Sequence, residues 1–222
     1  MEAGFPIGYF RGFRTDGIFQ DQDEVDGSPT INNSVQPGDL RFVDINNDGV
    51  IDDNDRTNIG NPLPEATMGF NLTFDYKNWD FGAYAFASVG NEIIRNYERN
   101  QPLTNRSTYY LDRWTGPGTS NSFPRVTSGA NSNSLFSEFF VEDGSFIRLQ
   151  NAQLGYSFSE KALERMGFDK FRIYISGSNL ITLTEYRGYD PTTSTGEPIG
   201  GGIDYGFYPN PRTYLLGINV KF

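Results

Sequence analysis

The chain has 222 residues and a formal net charge of −10, from 18 basic and 28 acidic side chains. A balance this acidic argues against a nucleic-acid partner, which needs a basic face. Cys and His are both absent, which excludes disulfides, thiol catalysis, Cys/His zinc sites, Ser-His-Asp triads and histidine pH switching.

Mean hydropathy is −0.52, and no window approaches the ~18 apolar residues of a membrane helix. Aromatic residues make up 15% of the chain, beside 25 Gly and 12 Pro. A polar, aromatic, turn-rich chain points to many short strands, and its aromatic content argues against disorder.

The opening Met1-Glu2-Ala3-Gly4-Phe5-Pro6 has neither the basic nor the apolar region of a signal peptide. The expectation is a cytoplasmic protein or a piece of a longer chain. Phe5 to Thr15 carries Phe5, Ile7 and Tyr9, then a second set at Phe10 and Phe13, and is read as a strand. Thr67 to Tyr76 is clearer: Met68, Phe70, Leu72, Phe74 and Tyr76 alternate with Thr67, Gly69, Asn71, Thr73 and Asp75. Trp79 to Val89 alternates less cleanly, because Tyr84 and Phe86 share the parity of Asp80, Gly82 and Ser88. Asn151 to Phe158, Phe171 to Ser178 and Tyr214 to Phe222 repeat the two-residue period, which puts apolar side chains on one face. The total is about six strands. Between Phe158 and Phe171, Ser159 to Gly167 reads as a short helix with Ser159 as N-cap and Gly167 as stop.

The polar face uses Asn, Thr, Ser, Gly and Gln in place of long charged side chains, which suits a wet barrel lumen. Periodicity alone is equally compatible with a soluble antiparallel sheet with one wet face. Connection lengths favour the barrel. Lys77-Asn78 and Ser159–Lys170 are short, whereas Asp16–Ala66, Gly90–Ser145 and Ile181–Arg212 are long. Outer-membrane barrels show this alternation of short periplasmic turns and long external loops.

Asp44 to Asp55 fits an EF-hand loop pattern, with Asp44, Asn46, Asp48, Val50 (through its carbonyl), Asp52 and Asp55 as calcium ligands and Gly49 at the turn. Asp55 stands where EF-hands carry a bidentate Glu, as in dockerin-type loops, which implies a weaker site. The flanks, Gly38–Val43 and Asn61–Pro64, do not read as helices, and an Asx-rich turn without metal is the alternative. Many of the carboxylates form close pairs in sequence, but catalytic pairing is spatial, and no enzyme is expected. Gly200-Gly201-Gly202 does not lead from strand to helix, so it is no phosphate cradle. Asn71-Leu72-Thr73 matches a glycosylation acceptor but lies within a strand. Tyr186, Tyr189, Tyr205, Phe207 and Tyr208 crowd one long connection. They could stack on sugar faces, as contacts to cargo or a partner, or pack that connection against itself.

Taken together, these motifs resemble the SusC/RagA-type TonB-dependent outer-membrane transporters of Bacteroidetes. The resemblance rests on Gly8–Phe13 with Thr15–Gln20, Gly38–Phe42 before the acidic loop, and Asp55–Pro64. It continues through Arg113-Trp114-Thr115, Phe140–Leu149, Ser178-Asn179-Leu180, Gly188–Pro191 and Gly202–Gly206, and ends with Pro211–Tyr214. It covers nearly the whole chain in family order.

The resemblance implies an all-β fold: residues 1–222 would be the C-terminal part of a transmembrane barrel of about 22 strands. The plug domain, the TonB-contacting segment and most strands would lie outside this sequence, and Met1 would be a fragment boundary or an internal Met. It also implies import of oligosaccharides or peptides across the outer membrane. The implied partners are a SusD-like surface lipoprotein, the TonB complex through the absent N-terminal region, outer-membrane lipid, and the barrel-assembly machinery reading the terminal Phe222. The alternative is a soluble, secreted, calcium-stabilised β-sandwich that binds carbohydrate. In a sandwich a second sheet must cover the apolar face of Met68–Tyr76 and Tyr214–Phe222.

Overall fold

The computed structural model describes residues 4–97, 106–129, 131–192 and 200–222. Met1 and parts of the two later long connections lie outside them. In chain order the elements are β1 (Phe10–Phe13), β2 (Thr15–Ile18), α1 (Gln22–Asp26), β3 (Leu40–Phe42), β4 (Arg56–Gly60), β5 (Ala66–Tyr76), β6 (Trp79–Val89) and β7 (Glu92–Arg95). Then come β8 (Val141–Asp143), β9 (Phe146–Ser157), α2 (Glu160–Met166), β10 (Lys170–Thr184), β11 (Ile203–Asp204) and β12 (Thr213–Lys221). Two compact units share them. One comprises Met1–Pro62, Glu92–Glu142 and Ser194–Gly206; the other comprises Leu63–Asn91, Asp143–Thr193 and Phe207–Phe222.

The first unit has an ordinary apolar core. Phe13, Ile18, Leu40, Phe42 and Ile51 form one buried cluster, and Phe10, Ile59 and Ile94 form another. Its sheets are small: β1 pairs with β4, β2 with β3, and β7 lies between β11 and β8. The expected strand Phe5–Thr15 is corrected here. Its residues supply β1 and the start of β2, and Phe10 and Phe13 both turn into this core. The break in parity between those two rings is a register shift between Phe10 and Arg11 within β1.

The second unit is one five-stranded antiparallel sheet in the order β12-β10-β9-β6-β5. Among the described residues the wall has five strands, where about six are expected from the sequence. Each wall strand lies beside its predecessor in the chain. The β5–β6 and β9–β10 connections are short, and those from β6 to β9 and from β10 to β12 are long. Lys77 adopts φ 55° in the two-residue turn, which needs a left-handed residue. At α2, Gly167 stops the helix in the left-handed region (φ 73°). Ser159 is the N-cap but makes no side-chain cap bond; its carbonyl accepts from Ala162 and Leu163 N–H instead.

A bulge crosses the wall. Tyr84 pairs with Asn151 and Ala85 with Leu149, so Gln150 is left without a partner on β6. On β10, Asn179 and Leu180 intervene between Ser178, opposite Asn151, and Ile181, opposite Leu149. Such an insertion reverses which parity faces which side. Apolar side chains on β9 therefore shift from even positions (Ala152, Leu154, Tyr156) to odd ones (Ile147, Leu149). Asn179 sits at φ 54° and donates through its side chain to the Pro211 carbonyl at 3.1 Å.

Candidate functional site

The wall itself is the feature that demands a function. Register places one apolar residue from every strand in a single row, Phe74–Phe81–Leu154–Ile175–Leu216. Among the described residues no second sheet covers it: Phe74 is 59% exposed, Ile175 52% and Leu216 73%. Met68, Phe70, Leu72, Tyr76, Tyr214, Ile218 and Val220 are exposed as well. The sandwich reading required this face to be buried, and it is not. Water would penalise an uncovered apolar surface of this extent, whereas hydrocarbon stabilises it.

At the short-turn end the aromatic rings form a chain. Trp79 meets Tyr156 (4.9 Å between centroids), Tyr156 meets Phe158 (5.2 Å), and Phe158 meets Phe171 (5.1 Å). Phe168 then links Phe171 (5.8 Å) to the terminal Phe222 (5.2 Å). Rings prefer the boundary between hydrocarbon and water, and barrels carry girdles of them there.

The opposite face is polar. Ser178 donates to the Asn151 side chain at 3.0 Å. Arg172 on β10 reaches across β9 to Asp80 on β6, with Nε 2.9 Å from Oδ1 and a second, tighter contact from Nη2 to Oδ2.

At the long-loop end Arg148 is buried on β9. It donates to Asp190 at 2.6 Å and to Thr182 at 2.9 Å. Asp190 also accepts from the Thr192 N–H (2.9 Å), the Thr192 hydroxyl (2.7 Å) and the Asn210 N–H (3.0 Å). Burial alone would raise the Asp190 pKa. The Arg148 bond and the bonds from Thr192 and Asn210 outweigh it and hold the carboxyl down to about 2. Residues on both sides of the β10–β12 connection are thus tied to the wall.

The acidic loop folds on its own turns. Asp44 accepts from the N–H of Asn47 (2.7 Å) and Gly49 (2.8 Å), and Asp48 accepts from Val50 (3.0 Å). Asp55 is fully buried and accepts from Ile45 and Asp52 (both 2.8 Å), forming a capping box with Asp52. Asn46 accepts from the Asp48 N–H at 3.0 Å. Among the described residues no three carboxylates converge as a cation cage.

Of the aromatic candidates in the β10–β12 connection, Tyr186 is buried, packed over Gly188, where a Cβ would collide with its ring. Its ring is therefore not placed for stacking. Tyr189, Tyr205 and Tyr208 are exposed and Phe207 is half-buried. Tyr205 belongs to the first unit and the others to the second.

The ion pairs Asp80–Arg172, Arg148–Asp190 and Arg95–Glu142 were not predicted. The available signal was a lone charge interrupting an apolar or small-polar alternation. That marks Asp80, Arg148 and Arg172 but names no partner.

An antiparallel wall with one bare apolar face, an aromatic rim and a polar reverse face defines part of a strand-built membrane wall. Among the described residues no helix is long and apolar enough to cross a membrane. No protein-family model matches the chain. Individual relatives do. The chain is 36% identical over 231 residues to TonB-dependent receptor P3 of Formosa agariphila, covering all of this chain and 23% of that protein. It is 29% identical over 189 residues to TonB-dependent receptor SusC of Bacteroides thetaiotaomicron, covering 84% of this chain and 18% of that protein. The fold matches the RagAB peptide transporter with a TM-score of 0.75 at 24% identity, covering all of this chain and 23% of that one. The chain belongs to the SusC/RagA-type TonB-dependent receptors. It spans less than a quarter of the length of these relatives.

Proposed function

We propose that this sequence supplies the C-terminal wall strands and external loops of an outer-membrane importer for oligosaccharides or peptides. The observation that carries the reading is the five-strand apolar row left uncovered on one face, in a chain whose relatives are TonB-dependent receptors. Outer-membrane lipid would cover that row, and the polar face around Asp80 and Arg172 would line the lumen. The long connections would then lie outside the cell. Tyr189, Tyr205, Phe207 and Tyr208 would touch cargo or a SusD-like lipoprotein. Energy would come from the TonB complex through a part of the receptor beyond residues 1–222. Phe222, at the end of the aromatic chain, would be read by the barrel-assembly machinery. The protein's work is transport, and no residue here is assigned a catalytic role.

Calcium belongs to the same reading. Carboxylate oxygens carry further lone pairs beyond those taken by turn N–H groups. Asp44, Asn46, Asp48, Asp52, Asp55 and the Val50 carbonyl would bind the ion after a modest rearrangement of the loop. RagAB, by its name, transports peptide, and peptide is one of the two cargo classes proposed.

The test is deletion of the gene for the full-length receptor, with uptake of labelled oligosaccharide and oligopeptide mixtures measured in whole cells beside a TonB-deficient strain. Loss of the same uptake in both strains is expected. Unchanged uptake in the deletion strain would overturn the reading.

A further inference from the structure

The first unit holds a cavity of about 710 Å³, inside the ~300–1,000 Å³ range of small-ligand sites. Phe136, Phe139 and Ile203 supply apolar surface, and among the described residues that line it there is no carboxylate. Two of its three arginines are nevertheless balanced from behind. Arg95 donates to the buried Glu142 at 2.8 Å. Arg125 donates to the fully buried Asp39 from Nε at 2.7 Å and from Nη2 at 3.0 Å. The third, Arg106, donates to the Tyr110 hydroxyl at 3.4 Å, and neither of these two side chains is assigned to a ligand.

The rest of the polar lining decides what fits. Asn133 is fully engaged: its amide donates to Asp39 (2.9 Å) and accepts from the Leu40 N–H (2.7 Å). The Thr127 hydroxyl donates to the Gly129 carbonyl (2.7 Å), and the Ser134 hydroxyl to the Asn131 carbonyl (2.6 Å). Each therefore keeps only lone pairs for a ligand. The Asn131 amide nitrogen donates to Asp39 at 3.1 Å, which leaves its Oδ1 as a third acceptor. Donors remain at Arg125 Nη1, which lies outside the grip of Asp39, and at the Asn96 amide and the Ser128 hydroxyl. These last two line the cavity and can donate and accept alike.

A carboxylate or sulfate brings acceptors alone, and would set its lone pairs against those of Thr127, Ser134 and Asn131. A peptide backbone brings one N–H per residue, with successive residues ~3.3–3.6 Å apart along an extended chain. A sugar ring carries hydroxyls on adjacent carbons, each a donor and an acceptor at once. Its C–H faces are apolar and pack on aromatic rings. We infer that this cavity is a subsite for one uncharged sugar ring of an oligosaccharide. Its hydroxyls would donate to Thr127, Asn131 and Ser134, accept from Arg125, and exchange both kinds of bond with Asn96 and Ser128. Its C–H face would rest on Phe136. The inference rests on the import reading and narrows its cargo.

The test uses the full-length receptor purified alone in detergent. The probes, measured by calorimetry, are neutral oligosaccharides (malto-, laminari-, xylo- and manno-series), anionic ones (from alginate and polygalacturonate) and N-acetyl-tetraalanine amide. Binding of at least one neutral oligosaccharide is expected. Ser128→Trp, at the exposed edge of the cavity and outside both ion pairs, should weaken it about tenfold or more. Asn96→Ala, also exposed, should weaken it about threefold or more through one lost hydrogen bond, with the parent's melting temperature. The subsite is overturned if no neutral oligosaccharide binds, if only the anionic probes or the peptide bind, or if both variants bind like the parent. Those results leave the import reading standing, because uptake in the deletion strain reports on it separately. Binding as expected, with unchanged uptake in the deletion strain, would uphold the subsite and defeat the import reading.

Discussion

Asp80 and Arg172 sit on strands that are not neighbours, and their side chains meet over Gly155 of the strand between them. A Cβ at Gly155 would lie 2.5 Å from Asp80 Oδ1 and would also collide with Arg172 Nη2. Glycine weakens a strand interior, so its presence here marks a close approach. The pair spans three strands, and its members should be energetically coupled. In a double-mutant cycle on the refolded full-length receptor, Asp80→Asn with Arg172→Gln should destabilise less than the sum of the single changes, with a coupling of ~0.5–3 kcal/mol. Gly155→Val should mimic the loss of the pair. Additive effects in urea titrations would show that the bridge is incidental.

The two faces of the wall should tolerate charge unequally. Leu154 and Ile175 lie in the uncovered row, whereas Ser176 and Gln153 pair with each other on the polar face. Arginine at a lipid-facing position near the bilayer midplane costs ~2–4 kcal/mol. Ile175→Arg should therefore make the free energy of refolding into phospholipid vesicles less favourable by about that amount, and Ser176→Arg by far less. Equal penalties would remove the assignment of faces.

What was legible in the sequence follows the same face logic. β5 and β6 match their patterned stretches within a residue at each end, because no bulge interrupts their pairing with each other. β9 was half hidden. The bulge at Gln150 moves the apolar side chains from odd to even positions, so Phe146–Gln150 did not join the pattern of Asn151–Phe158. β10 was cut short at Asn179, a polar left-handed residue that interrupts its odd-numbered apolar positions before they resume at Ile181 and Leu183. Phe5–Thr15 failed in the other direction: its rings look like strand alternation, but they serve a local core. Arg148 and Asp190 both stood inside motifs carrying the family resemblance. Their meeting depends on a connection doubling back to the wall, and no local pattern encodes that.

The acidic loop offers a separate test. Asp44, Asp48 and Asp55 already hold its turns through backbone N–H groups, so a bound ion would add to a structure that forms without it. Differential scanning calorimetry of the full-length receptor should show a higher melting temperature in millimolar calcium than in chelator. Asp48→Asn should shrink that difference, because it removes charge and leaves the turn acceptor in place. No calcium-dependent shift in the parent protein would reject the ion and leave an Asx-rich turn.

Asp190 sets the last prediction, on acid stability. Its folded pKa is about 2, below the ordinary carboxylate value of 3.8, so between these two values the folded state binds fewer protons at this group than the unfolded chain. Its contribution is complete above the unfolded value and is lost as pH falls from near 4 through about 2. A shift of this size corresponds to about 2 kcal/mol, and the Asp190 side chain is only 7% exposed, so little of it is screened by solvent. Asp190→Asn should cost about this much at neutral pH and flatten the stability loss between pH 4 and pH 2. Because Arg148 and Asn210 bind the same carboxylate, the cost should fall on the β10–β12 connection. Limited proteolysis after Thr184 should speed up in the variant at pH 7, with cleavage elsewhere unchanged. A variant that keeps the parent's acid profile and cleavage rate would show that Asp190 does not anchor that connection.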